Sequence, residues 1–159
     1  MHNILGIAPD TWISSATILV DGKIIAACSE ERFNRQKNSK AFPKQSIEFC
    51  LKKASLNFDD LDSIVISWNP GTKLSSASSR YTNSIQWRGD YLLSFVSSIL
   101  KMMNSPQVID ITQIINNEKN KFKLKFLNHH KCHIASTYYP SGFNSAAILT
   151  IDGRGDEET

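Results

Sequence analysis

Short apolar runs open the chain. "NILGIA" (residues 3–8), "SATILV" (15–20) and "KIIAACS" (23–29) each predict a strand. Between the last two lie Asp21 and Gly22. Asp-Gly supplies the positive φ angles of a type I′ turn, so these two strands form an antiparallel hairpin. The period then changes. Pro43 suits the first turn of a helix, where its missing N–H costs nothing. Ile47, Cys50, Leu51 and Ala54 recur at helical spacing and give one buried face running through Lys53. "DSIVISW" (62–68) is the next strand, and the serine-rich "NPGTKLSSASSR" after it is expected to be a mobile loop. From Ser84 to Met103 the apolar residues Trp87, Tyr91, Leu92, Phe95, Val96 and Ile99 fit a long amphipathic helix, stopped before Pro106. "KFKLKFL" alternates lysine and apolar residues, as a half-buried or edge strand does. A short helix carrying "HHKCHIAS" (129–136) is ended by Pro140 and Gly142, and "SAAILTI" (145–151) is the last strand. The order β-β-β-α-β-α-β-α-β, three antiparallel strands feeding βα units, predicts a mixed α/β sheet.

Composition narrows the partners. A length of 159 residues suits one compact domain, and 41% hydrophobic with 21% charged residues is ordinary for a globular chain. A net charge of +3 without a clustered basic face argues against DNA as a partner. Cys28, Cys50 and Cys132 form no CxxC pair, so neither a disulfide framework nor a zinc knuckle is expected; reduced thiols in a cytoplasm fit best. The start, "MHNILGIAPD", is no signal peptide, and no run of roughly 18 apolar residues predicts a membrane span. A final strand needs a partner, so the fold is expected to continue in longer relatives.

Three segments carry candidate chemistry. His129 and His133 are four apart, which on a helix places them on one face roughly 6 Å apart at Cβ. Two imidazoles at that spacing can reach one metal ion, while His130 points about 100° away. Asp152, ending the last apolar strand, is the attractive third ligand; imidazole plus carboxylate suits iron, zinc or manganese. Paired histidines at this spacing also occur on plain surface helices. "DGRGDEET" (152–159) resembles a phosphate-cradling loop in which Gly153 and Gly155 permit close backbone approach. The same Asp-Gly is equally a turn signal, and the acidic residues behind it would need a divalent cation beside phosphate. "EERFNRQK" (30–37) reads either as a charged surface loop or as an anion site. In the second reading Arg32, Arg35 and Lys37 are donors and Glu30 or Glu31 holds an arginine. Trp68, Trp87, Tyr138 and Tyr139 read as packing residues.

Together these segments resemble the N-terminal part of the NodU/CmcH-type carbamoyltransferases. That family reads as a strand, a hairpin at "DG", "EERF-x-R-x-K", an "FP…AI-x-x-CL" helix, "HHxxHAAS", and a strand running into "DGxG". This chain has "SSATILVDGKIIAACSEERFNRQK", "AFPKQSIEFCL", "HHKCHIAS" and "AAILTIDGRG" in the same order.

The resemblance implies an actin-like ATPase fold with ribonuclease H-like halves. Residues 1–143 would form the first half, and 144–159 the first strand and phosphate-type loop of an incomplete second half. It implies transfer of a carbamoyl group from carbamoyl phosphate, through carbamoyl-adenylate made with ATP and Mg2+, to a hydroxyl of a small acceptor. By matching motif positions His129 and His133 would ligate a metal, expected to be Fe2+, with Asp152 as third ligand. Lys37 would contact the carbamoyl-adenylate or its phosphate, and His130 could act near the transfer centre. The missing domains would come from further sequence or a separate chain.

Two departures matter. The family's His-Asp pair ahead of the serines is replaced by Trp12 and Ile13, leaving Asp10 as the nearest carboxylate, and Ile134 stands where alanine is usual. Alternative readings are a truncated, non-catalytic metal- or partner-binding module of this fold, and a threonylcarbamoyl transfer protein acting on tRNA.

Overall fold

The computed structural model of the chain describes residues 2–9, 13–68, 98, 99, 102 and 123–152. Asp21 (φ 48°) and Gly22 (φ 78°) both take positive φ, as a type I′ turn requires. They join β2 (Ser15–Val20) to β3 (Lys23–Ser29) with Val20 opposite Lys23. β1 (Asn3–Ala8) lies antiparallel to β2, and the Asp21 carboxylate accepts the His2 N–H at 2.7 Å, fixing the hairpin tip against the start of β1. β4 (Ser63–Ile66) and β5 (Lys123–Phe126) continue the sheet in parallel, giving the order β3-β2-β1-β4-β5. Three antiparallel strands continued by two parallel ones make the mixed α/β sheet expected of a ribonuclease H-like half of the actin-like fold. Strand bounds from the opening alternation are reproduced for β1, β2 and β3; β5 stands last among the described strands, with Leu124 and Phe126 half-buried and Lys125 exposed, in keeping with a half-buried or edge strand.

Period-2 alternation puts Leu5, Ile7, Ala16, Ile18, Ile64 and Ile66 on one face, all at most 3% exposed. α2 (Lys44–Ala54) covers that face with Ile47, Cys50 and Leu51. Each fully buried aliphatic side chain there stabilises the fold by roughly 1.5–3 kcal/mol. The helix expected over 84–103 falls mainly outside the described residues; Ser98, Ile99 and Met102 are helical, and Ile99 joins this core.

The N-terminus of α2 is satisfied from a distance. Pro43 is its cap residue and offers no side-chain acceptor. The buried carboxylate of Glu30 accepts from the Ser46 N–H (2.8 Å), the Ser46 hydroxyl (2.9 Å), the Gln45 N–H (3.2 Å) and the Gln45 amide (3.3 Å). A carboxylate there meets both the open N–H groups and the positive end of the helix dipole. Glu30 therefore holds a helix and not an arginine. Glu31 lies 3.9 Å from its neighbour Arg32, whose side chain is mostly exposed. "EERFNRQK" is no plain loop: Glu31–Asn34 form a short helix, α1, closed by Arg35 in the left-handed region.

α3 (His129–Ser141) follows β5. It runs one residue past Pro140 and ends at Gly142 with φ 74°. The strand expected over 145–151 does not form: residues 142–152 carry no strand, and Leu149 and Ile151 are 83% and 84% exposed. A strand is stabilised by ladder hydrogen bonds to a neighbour, and no described strand lies beside this segment.

Candidate metal centre

The site is assembled where β4 and β5 end. Beyond β4, Trp68 is 4% exposed. Beyond β5, Leu127 donates its N–H to the Ile66 carbonyl at 2.8 Å, carrying the pairing one step further. Asn128 then caps α3, its side-chain oxygen accepting the Lys131 N–H at 3.1 Å. That cap makes His129 the first helical residue and puts His133 one turn on, at the same face. Trp68 packs against His129 with ring centroids 5.1 Å apart, so one imidazole is wedged between the helix and the end of β4.

Asp152 reaches this face. Its Oδ2 lies 2.7 Å from His129 Nε2 and 3.2 Å from His133 Nε2, and the two Nε2 atoms are 3.0 Å apart. The side chains are 17%, 48% and 32% exposed for His129, His133 and Asp152, so the cluster opens to solvent on the His133 side.

Three donor atoms at these separations fit a cation better than a proton. Each Nε2 carries at most one hydrogen, directed outward in the ring plane, and an ionised carboxylate carries none. One Nε2–H cannot point well at both the facing nitrogen and the carboxylate. Donors held at right angles about 2.1 Å from one ion are about 3 Å apart. The observed 2.7, 3.0 and 3.2 Å bracket that value.

The other sequence candidates stand apart. His130 is 6% exposed, its ring centroid 6.0 Å from that of His129 and 6.3 Å from that of His133. Lys37 is exposed on the turn after α1, and its side chain makes no hydrogen bond or ion pair among the described residues. Gly153, Gly155, Asp10 and Trp12 lie outside the described residues; Ile13 is 38% exposed. Sequence reasoning took Trp68 as packing, which it is, but missed that it packs on a candidate ligand. It also missed the Asn128 cap, whose signal was an asparagine directly before the histidines.

An open cavity of about 460 Å³ adjoins α3 through Cys132 and is otherwise lined from the strands, including Gly6, Ala8, Thr17, Ser29 and Ser67. A Cβ at Gly6 would stand 2.9 Å from Thr17 Cγ2, so a larger residue there would have to displace that side chain. Among the described residues no helix is long and apolar enough to cross a membrane.

The chain is 33% identical over its whole length to the uncharacterized protein sll1178 of Synechocystis, covering 26% of that protein. It is 32% identical to the nodulation protein NolNO of Sinorhizobium fredii, over 93% of this chain and 21% of that protein. Protein MJ1051 of Methanocaldococcus jannaschii is 27% identical over 96% of the chain. The chain thus spans about a quarter of the length of the curated relatives it matches. Among solved structures, YeaZ from Pseudomonas aeruginosa aligns over 67% of this chain and 41% of its own, with 14% identity and a TM-score of 0.39. The model of the family described as carbamoyltransferase N-terminus matches residues 3–159, and the chain belongs to that family.

Proposed function

We propose that this chain is the N-terminal portion of an O-carbamoyltransferase, in which His129, His133 and Asp152 hold a divalent metal, expected to be Fe2+. The observation that carries the reading is the convergence of two Nε2 atoms and one carboxylate oxygen from segments 19 to 23 residues apart in sequence. The family match supports the reaction class. Such an ion supplies Lewis acidity, polarising the carbamoyl oxygen.

The chain's own residues supply the rest. Trp68 and the Asn128 cap orient His129, so that imidazole is set before any ligand binds. Lys37, exposed and cationic, is suited to stabilise charge on a departing phosphate or adenylate. His130, buried behind His129, suits a positioning role and not proton exchange with substrate. The cavity of about 460 Å³, whose side chains are uncharged, suits a small hydroxyl-bearing acceptor. ATP, Mg2+ and the adenylating step belong to sequence beyond this region, on the same or a separate chain.

The test is a carbamoyl-transfer assay on a protein carrying this region with the adenylating domain, fed 13C-labelled carbamoyl phosphate, ATP and hydroxyl acceptors. The reading expects a labelled carbamate ester, with a loss of about 100-fold or more in His129→Ala and His133→Ala. Equal turnover in both variants would refute it. A second reading, a metal-holding module that docks onto a partner, is favoured by the exposure of Tyr139 (80%), Leu149 and Ile151. It expects metal binding without ester formation.

A further inference from the structure

Away from the histidine cluster, two thiols on different elements face each other beneath the sheet. Cys28 on β3 and Cys50 on α2 have Sγ atoms 3.9 Å apart although they are 22 residues apart in sequence. Cys28 Sγ also lies 3.6 Å from the Ser46 carbonyl, and Cys50 Sγ lies 3.5 Å from the Ala16 carbonyl and 3.8 Å from that of Ala26. Both sulfurs therefore sit over one stretch of the β2–β3 ladder, where Ala16 is paired with Cys28.

The geometry points to a reversible disulfide-forming site at Cys28 and Cys50, a redox staple between β3 and α2 that is separate from the candidate metal centre. A disulfide needs about 2.05 Å between sulfurs, so the two must close by about 1.9 Å, shared between two side chains. Each reduced thiol has a backbone carbonyl to receive its S–H, so the open form is stable too.

The order of events follows from access. Cys28 is half-buried and Cys50 is fully buried, its thiol pushed up to about 12 by burial and then by the neighbouring Cys28. Cys28 is thus the group an oxidant reaches first. With a hydroperoxide, the Cys28 thiolate attacks one peroxide oxygen, the O–O bond breaks, and the released hydroxide takes a proton to become water. The Cys50 sulfur then attacks the resulting Cys28 sulfenic acid. The Sγ–Sγ bond forms as the S–O bond breaks, and the hydroxyl leaves as water with the Cys50 proton. Two thiols give up two electrons and two protons in all. With a disulfide oxidant such as oxidised glutathione, the same electrons leave through a mixed disulfide.

The staple encloses residues 29–49. That interval contains Lys37 and the Glu30 carboxylate that caps α2. Oxidation would fix both ends of the loop bearing Lys37, whether or not the chain transfers carbamoyl groups.

The experiment oxidises the whole chain, wild type and Cys132→Ser, with one equivalent of hydrogen peroxide or with oxidised glutathione. Intact mass is expected to fall by about 2 Da, peptide mapping to join Cys28 to Cys50, and dithiothreitol to restore both thiols. The oxidised chain should melt roughly 5–10 °C higher. Cys28→Ser and Cys50→Ser should lose the mass change; Cys28→Ser, at the more exposed position, serves if the other fails to fold. Oxygen or glutathione adducts without the internal cross-link, a bridge to Cys132, or unchanged thiol counts would each overturn the assignment.

Discussion

α2 packs on the sheet, α3 springs from the end of β5, and the two are held in opposite ways. α2 buries Ser46, Ile47, Cys50 and Leu51, and its open end is satisfied by the Glu30 carboxylate. α3 is two residues longer yet buries only His130. Its start is fixed by two polar contacts and one ring contact: the Asn128 cap, Asp152 across the histidine pair, and Trp68 packed on His129. Hydrophobic contact is non-directional and tolerates small shifts, so it suits a scaffold. Ligand donors demand set distances and directions, so they suit a helix held at one end by hydrogen bonds. α2 is thus the buried scaffold, and α3 is the element that places the histidine pair.

The largest expected effect is on the scaffold. Ile47→Ala, at a side chain with 0% exposure, should lower stability by about 3–4 kcal/mol in urea denaturation. Next comes the distant cap. Glu30→Ala removes an acceptor from two N–H groups, a hydroxyl and an amide, and should cost about 2–3 kcal/mol. Glu30→Gln, which keeps one carbonyl oxygen, should cost less. The smallest effect is at α3, where Asn128→Ala should cost about 1 kcal/mol by the same denaturation. Equal costs at Ile47 and Asn128 would dissolve the distinction between the two helices.

The legible part of the fold was the part set locally. β1, β2 and β3 follow from alternation, and their hairpin from Asp21–Gly22, because these signals lie within a few residues. α2 was read from Ile47, Cys50 and Leu51 for the same reason. The Glu30 cap was not legible: its partners are 15 and 16 residues away, and only folding brings them together. At the site, helical spacing alone put His129 and His133 on one face, and Asp152 was chosen as a carboxylate ending an apolar run. That Asp152 reaches them while its run forms no strand could not be read, since strand formation depends on a neighbour and not on the run itself.

The central claim is that His129, His133 and Asp152 act as one ligand set. Anaerobic equilibrium dialysis against Fe2+, with bound metal counted by atomic absorption, tests it most directly. One ion per chain is expected for the wild type, and far less for His129→Ala, His133→Ala and Asp152→Asn at the same free concentration. Equal metal content in the wild type and all three variants, or no retained metal in any of them, would contradict the account.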